Sequence, residues 1–438
     1  MKNIKKTEKG GFEMKKTINK VVSITIATSV VLTGGAICVQ ADSGGTLTIM
    51  GKAIDFSLPY YERLFESYEK ETGNKLDLIT LEETSFDTVA TSKFATGDIP
   101  DIFVHHNNAQ LSNYDVTNNF YYMNDEEWVN ELSEGARATA EDTEGNILGL
   151  PFGENSISGM YYNKTLLDEL GLEPATTQKE FDELCTAIKE AGYTPLCFPA
   201  GGSYWMYQFG MDPIFADNPE KLNKLNKNEI TYGDIPEITN MIQWIKEAAD
   251  KEWFEDTYMT DGWDELSVIM GTGEAVMIPI WDTWFYTDFD EGYDYTKEDF
   301  GVMPVFFNTV DEGTYEGGNL LLMMANKNSE NLELALDFIE YASKPDVYNA
   351  AFDGVSTADI FKNQTTNIEA VMVTNSTDSI NKLCRASTAA PKIIGFTQND
   401  VGVAVQEMLM GNVDVEGCIK LMDDARIAGA KALGTEGF

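Results

Sequence analysis

A ligand that presents hydroxyls and flat CH faces needs planar amides or carboxylates for the first and aromatic rings for the second. An asparagine both donates and accepts, which suits a hydroxyl. The chain offers such side chains in loop-like settings: Asn107 and Asn108 after an apolar run, Asp55 between Lys52 and Phe56, and Glu154 beside Asn155. Trp205 follows Tyr204 and the Gly201-Gly202 pair, and Trp263 stands in a similar setting, although a large aromatic is more often core than platform. Metal chemistry has less support. His105 and His106 are the only histidines, and no further ligands accompany them. The adjacent Tyr161 and Tyr162 keep a ferric-iron reading open. Asp288, Asp290, Asp294 and Asp299 crowd one segment, but Tyr293 stands where an EF-hand needs its turn glycine, so a solvated acidic loop is expected and no metal. There is no GxSxG elbow, no HExxH and no phosphate-binding glycine loop. A glycosidase would need two suitably spaced carboxylates, and among 72 acidic residues nothing singles out a pair.

These residues must be positioned by the elements around them. Thr46–Met50 reads as a strand. Ser57 then caps a helix with Pro59 in its first turn and Tyr61, Leu64, Phe65 and Tyr68 on one face, and Gly73 stops it. Lys75–Leu81 is a second strand, a helix with Phe86, Val89 and Phe94 follows, and Asp101–Val104 is a third strand. Strands separated by single helices imply a parallel sheet. Its ligands sit beyond the carboxyl ends of the strands, so the loops after Met50, Leu81 and Val104 share one rim. A second α/β region follows Pro151. Thr177 and Glu180 form a capping box before the helix Gln178–Glu190, Tyr193–Phe198 is a strand, and Ile235–Lys251 is helical. Glu274–Ile280 and Leu320–Ala325 are short apolar strands, and Leu334, Ala335, Phe338, Ile339 and Ala342 mark an amphipathic helix. More than four hundred residues exceed what one core serves, so two domains are expected.

The amino-terminal segment carries seven lysines against Glu8 and Glu13, and Val21–Val39 carries no charge. That is the layout of a secretory signal, with removal expected near Val39-Gln40-Ala41. A retained anchor and a lipid on Cys38 are the alternatives; Gly35 and Ile37 depart from the usual lipidation pattern. Removal of residues 1–41 takes the formal charge from −41 to −46. So acidic a surface repels nucleic acid and anionic lipid and suits solubility outside a cell. The remaining cysteines, Cys185, Cys197, Cys384 and Cys418, form no CxxC pair. Cys185 lies on a helix-core stripe, and a Cys185–Cys197 bridge is the alternative to free thiols.

Four stretches carry a family resemblance. They are Phe65-Glu66-Ser67-Tyr68-Glu69-Lys70-Glu71-Thr72-Gly73; Ala95-Thr96-Gly97-Asp98-Ile99-Pro100-Asp101-Ile102-Phe103; Gly149-Leu150-Pro151 with Met160-Tyr161-Tyr162-Asn163-Lys164 and Gly171-Leu172; and Gly273-Glu274-Ala275-Val276-Met277 followed by Gly317-Gly318. In this order, with the tail Met408–Ala425, the chain resembles the extracellular solute-binding proteins of ABC sugar importers, the group that includes maltose-binding proteins. It departs at Thr177-Gln178, where such proteins usually carry a tryptophan. The resemblance implies an α/β fold of two lobes, the type II periplasmic-binding-protein fold, with a mixed, mostly parallel sheet in each lobe and a hinge between them. One lobe would hold residues 42–149 and 322–346, the other 152–318 and 350–438, with crossings near Pro151, Gly318 and Pro345.

It also implies a monomer without cofactor that takes a sugar or oligosaccharide between its lobes and passes it to membrane permease subunits, and that is not an enzyme. The other ligands carried over are ferric iron or a polyamine; a secreted carbohydrate-active enzyme is the remaining class. Trp284 is the implied stacking residue, with Trp281 its rival, and Asn107, Asn108 and Glu154 are polar contacts. Asp55, Tyr162, Trp205, Trp263, Asn319 and Phe396 complete the expected set.

Overall fold

The computed structural model describes residues 44–438 apart from 83–85, 108, 143, 202–205, 290–291, 308–309, 318–319, 358, 366–370 and 388–391. The basic head, the expected cleavage at Ala41 and Cys38 lie outside the described residues. No helix among the described residues is long and apolar enough to cross a membrane.

Eleven strands are named here in chain order: β1 Thr46–Lys52, β2 Lys75–Leu81, β3 Ile102–His106, β4 Leu150–Pro151, β5 Ser158–Asn163, β6 Thr194–Leu196, β7 Ala275–Trp281, β8 Phe300–Met303, β9 Tyr315–Glu316, β10 Leu321–Ala325 and β11 Cys384–Arg385. The first sheet has the order β2-β1-β3-β10-β4, and the second β11-β9-β5-β7-β6 with β8 also on β5. The βαβ reading of the first hundred described residues holds, since β1 pairs parallel with both β2 and β3. The helix between β1 and β2 spans Pro59–Thr72, starts with its proline in the first turn and ends at Gly73 in the left-handed region, φ +77°. Its cap is Leu58 rather than the expected Ser57, whose hydroxyl donates back to Ile54 O in the short helix Ala53–Phe56.

Parallel pairing does not dominate as expected. β10 runs antiparallel to β3 and β4, and β5 runs antiparallel to β7, β8 and β9. The cause is the route of the chain. β5 follows the first passage from sheet to sheet and β10 follows the second, so each starts at the facing rim and must run away from it. β1, β3, β7 and β9 end at that rim.

Each sheet has its own core. One is built from residues between Leu47 and Phe152 and between Leu320 and Phe361, the other from residues between Ile157 and Tyr315 and between Met372 and Met422. Val347, Tyr348, Ala351, Phe352, Ile360 and Phe361 pack in the first core, so the last passage falls after Phe361 and not at 345–350. Tyr348 stacks on Phe361 at 4.2 Å, which ties the end of this segment to its own helix Pro345–Ala351. Gly149 sits where β4 meets β10; a Cβ there would stand 2.6 Å from Met323 O. The four cysteines of the described chain are free, so no Cys185–Cys197 bridge forms.

Asp101 sets the register of the first sheet. Its Oδ2 accepts from Thr48 N at 2.8 Å and Thr48 Oγ1 at 2.9 Å, and Thr48 Oγ1 accepts from Asp101 N. Ser329 Oγ donates to its Oδ1. Asp101→Ala leaves the half-buried Thr48 amide and hydroxyl without this acceptor and is expected to cost about 1–2 kcal/mol of stability. Urea unfolding followed by circular dichroism measures this, and a change below about 0.5 kcal/mol would contradict the assignment.

Candidate functional site

The two sheets present their carboxyl-end rims to each other. From the first come the residues beyond Lys52 and His106; from the second come those beyond Trp281, Glu316 and Arg385. The passage 152–157 runs between them and is pinned on every side. Tyr61 Oη donates to Phe152 O at 2.8 Å, and Phe152 N donates to Leu321 O at 2.9 Å. Asn155 N donates to Thr357 Oγ1 at 2.6 Å, and Asn155 Nδ2 to Asp359 O at 3.0 Å. Ile157 N donates to Asp282 Oδ1 at 2.8 Å, while Asp282 N returns a bond to Ile157 O at 3.1 Å. This exchange joins the end of β7 to the start of β5.

A cavity of about 620 Å³ opens beside this passage. The helix Glu134–Ala140 of the first half lines it with Glu134, Ala138 and Thr139, and Thr357 and Asp359 add hydrogen-bonding groups. The second half supplies Asp282, Thr374, Thr377, Asn381 and Arg385. Arg385 is held by Asp217 through Nε–Oδ1 at 2.7 Å. Ile157, Val373, Ile380 and Cys384 line it too, so hydroxyls, amides and carboxylates are set among apolar side chains, a mix suited to a molecule that presents both hydroxyls and CH faces.

On the other flank of the passage stands a group of acids. Burial, and then the charge of Asp288, push the Glu154 carboxyl up to about 7. Asp282 is also pushed up to about 7, by burial first and by Glu154 among the remaining causes, against hydrogen bonds from Ile157 and Thr283 amides. Tyr60 is raised by burial and by the charges of Glu154 and Asp55, which places both acids around its hydroxyl. Trp263 Nε1 donates to Asp288 Oδ1 at 3.3 Å. Glu154 and Trp263 thus share Asp288 as a neighbour, and Glu154 and Asp55 share Tyr60. Beneath the rim of the second sheet lies a further acid pair. Glu316 is raised well above the carboxylate range by burial and by Asp212, and it accepts from Gln208 Nε2 at 2.9 and 3.2 Å.

The other expected residues divide. Trp284 is 2% exposed, with Phe285 at 4.9 Å and Phe289 at 5.2 Å, so it is a core side chain and not an accessible face. It opens the short helix Trp284–Thr287, which turns the chain from the rim back onto the core. Trp281 ends β7 at the rim, is partly buried, and meets Phe209 edge-on at 5.1 Å. Asn107 spends its amide hydrogens on Thr139 O at 2.9 Å and Glu141 O at 2.8 Å, closing the end of the helix that lines the cavity. Tyr162 does not reach the rim. β5 starts there with Ser158, so four residues, about 13 Å, separate it from the cleft, and its phenol packs over Gly301. Its neighbour Tyr161 is fully buried and donates to Ile157 O at 2.8 Å, so the two tyrosines offer no joint iron site. Phe396 is partly buried against the second core. Asn108, Trp205 and Asn319 lie outside the described residues. Sequence reasoning missed Asp282, Thr139, Asp359 and Arg385. Asp282 is the first polar residue after an apolar strand, the signal that marked Asn107; the other three come together only through the fold.

The family described as bacterial extracellular solute-binding protein matches residues 57–349, about two thirds of the chain. The multiple sugar-binding protein of Streptococcus mutans is 28% identical over 145 residues, 33% of this chain and 34% of that one, so this match spans only about a third of that relative. The melibiose/raffinose/stachyose-binding protein MelE of Bacillus subtilis is 20% identical over 317 residues, 68% of this chain and 70% of the relative. Among solved structures, the apo form of RafE from Streptococcus pneumoniae superposes with a TM-score of 0.71 at 16% identity, covering 92% of this chain and 100% of that one.

Two outcomes follow from the site's packing and charge. Trp284→Ala is expected to cost about 3–5 kcal/mol of stability and Trp281→Ala much less; melting curves that reverse this order would exchange their roles. Glu154 and Asp282, whose pKa values folding raises to about 7, hold more protons in the folded chain than in the unfolded one. Stability is therefore expected to fall as pH rises from about 4 towards 7 and to level off above, by linkage. Glu154→Gln and Asp282→Asn should each flatten that slope, with Glu255, also pushed up to about 7 by burial, supplying part of what remains. Melting temperatures between pH 5 and 8 test this, and an unchanged slope in both variants would refute the attribution.

Proposed function

The chain belongs to the bacterial extracellular solute-binding proteins, and from that premise we propose that it is the substrate-binding component of an ABC-type carbohydrate importer. It captures a saccharide between its two halves and delivers it to membrane permease subunits. The observation that carries this reading is the facing of the two carboxyl-end rims across a pinned passage, beside a cavity of about 620 Å³ lined by both polar and apolar side chains. Relatives named for multiple sugars and for melibiose, raffinose and stachyose support a saccharide as the solute. The chain is exported, with cleavage near Ala41 or a lipid on Cys38.

The mechanism is capture by closure. Each half carries part of the contacts, and the ligand favours the closed arrangement by its differential affinity for it. Binding residues on the second half are Asp282 and Trp281; Glu154 and Asn155 act from the passage, and Asp55 and Thr139 from the first half. A protonated Glu154 or Asp282 donates a hydrogen bond and an ionised one accepts, so acids poised near neutrality serve either face of a hydroxyl. Trp281, at the rim, is the platform for a pyranose face. No step of bond making or breaking is assigned to these groups.

Titration calorimetry with melibiose, raffinose and stachyose tests the reading. The native protein should bind at least one of them, and Trp281→Ala should weaken that binding by roughly thirtyfold or more, as for other desolvated aromatic anchors. Heat from none of these or of a wider panel of neutral oligosaccharides would sink the proposal, while native affinity in the variant would move the platform elsewhere.

A further inference from the structure

Lys392 belongs to the second half by its backbone and to the first by its ammonium group. The amide of Asn226 fixes the backbone, with Nδ2 donating to Lys392 O at 2.8 Å and Oδ1 accepting from Ile394 N at 2.9 Å. Ile393 is fully buried in the second core. Gly395, at φ +77°, presses so closely on the helix Val415–Ala432 that a Cβ would stand 2.1 Å from Arg426 O. From this rigid base the side chain crosses to the helix Glu134–Ala140, where Nζ lies 3.4 Å from Ala138 O.

That helix end is a negative site. Its last carbonyls lack partners within the helix and carry the negative pole of the helix dipole. Asn107 takes Thr139 O, and Leu148 N takes Ala140 O at 3.0 Å. Lys392 completes the set at Ala138 O. Glu141, itself paired with Arg137 at 2.8 Å, and Asp142 face the ammonium from the first half, and Asp212 faces it from the second. Burial pulls the lysine below its usual range while these three carboxylates oppose the shift. An ammonium so placed is desolvated only while the two halves are together. In a chain of net charge −41 it is a cation set between acidic neighbours of both halves.

We propose that Lys392 is a clasp between the halves: it holds the end of the helix Glu134–Ala140 against the second core, and so sets how long the cleft stays shut over its ligand. Ala138 and Thr139, the residues beside the clasp, line the cavity, so release of Lys392 loosens the wall that the ligand touches. Lys392 makes no contact with the ligand in this role and is a positioning residue. The clasp rests on the reading of the chain as a closing saccharide receptor, but it has a consequence without ligand.

Two measurements on Lys392→Met separate the ideas. Small-angle scattering of the sugar-free protein should give a larger mean radius of gyration than native, at an unchanged far-ultraviolet spectrum. Stopped-flow release of a bound neutral oligosaccharide should be about tenfold faster with an unchanged association rate, the usual place for such an effect. Lys392→Arg should restore slow release. Glu141→Gln with Asp142→Asn acts from the opposite half, should shift both readings the same way, and serves if the lysine variant does not fold. Identical scattering in native protein and variants overturns the clasp whether or not any sugar binds. Native protein that binds no saccharide, with scattering that still shifts, overturns the transport reading and leaves the clasp supported. Sugar binding with unchanged release and scattering does the reverse.

Discussion

One exchange between the ends of two neighbouring strands fixes where the passage enters the second half of the site. Asp282 accepts from Ile157 N and donates its own amide to Ile157 O, tying the first residue beyond β7 to the last residue before β5. β5 is the central strand of the second sheet, with β7, β8 and β9 all on it. The passage that precedes it carries Glu154 and Asn155 and is the track along which the chain leaves the first sheet. Were the exchange lost, the direction of that passage would be set only by Tyr61 and Leu321 on one side and Thr357 and Asp359 on the other. Burying a carboxylate is costly unless it is hydrogen-bonded, and here the bonds come from main-chain amides whose positions the sheet already fixes.

The same economy explains why acids gather at the cleft without unfolding it. Burial raises the cost of ionising Glu154 and Asp282, and the charge of Asp288 on Glu154 and of Glu154 on Asp282 adds to it. Their pKa values rise to about 7, so near neutral pH they carry only part of a charge. Glu316, which accepts from Gln208, is raised well above the carboxylate range by burial and by Asp212. A cleft built this way retains hydrogen-bonding capacity while shedding charge, which matches a hydroxyl-bearing solute better than an ion.

Much of this was legible from the sequence, and what was not has a common cause. Local signals placed β1, β2, β3, the helix Pro59–Thr72 and the helix Leu332–Ala342, because apolar spacing and a terminal glycine act within one element. The parallel rule then located the rim. It failed for β5 and β10, whose direction follows from where the chain crosses between sheets, a matter no window of residues reports. Tyr162 was misplaced for that reason. The boundary at 350 was misplaced because Phe361 folds back to stack on Tyr348, a contact across thirteen positions that apolar spacing does not announce. Asp55 and Glu154 could be placed at the rim because each follows closely on the end of a strand, β1 and β4, while Asp359 and Arg385 reach the cavity from far along the chain.

The exchange of Trp284 for Trp281 shows how finely such a reading must resolve. Three residues separate them, and both follow the apolar run of β7. A strand ends where its hydrogen-bonding partner ends, and Ser158 pairs with Trp281, so Trp281 is the last residue the sheet can hold at the rim. Asp282 then turns its carboxylate inward to Ile157, which bends the chain back towards the core. The next ring, Trp284, is thereby delivered among Phe285 and Phe289 instead of into the cleft. A tryptophan there stabilises the wall behind the site. Trp281 stays at the rim, where the register fixes it, and the turn that separates the two rings is made by the same carboxylate that anchors the passage.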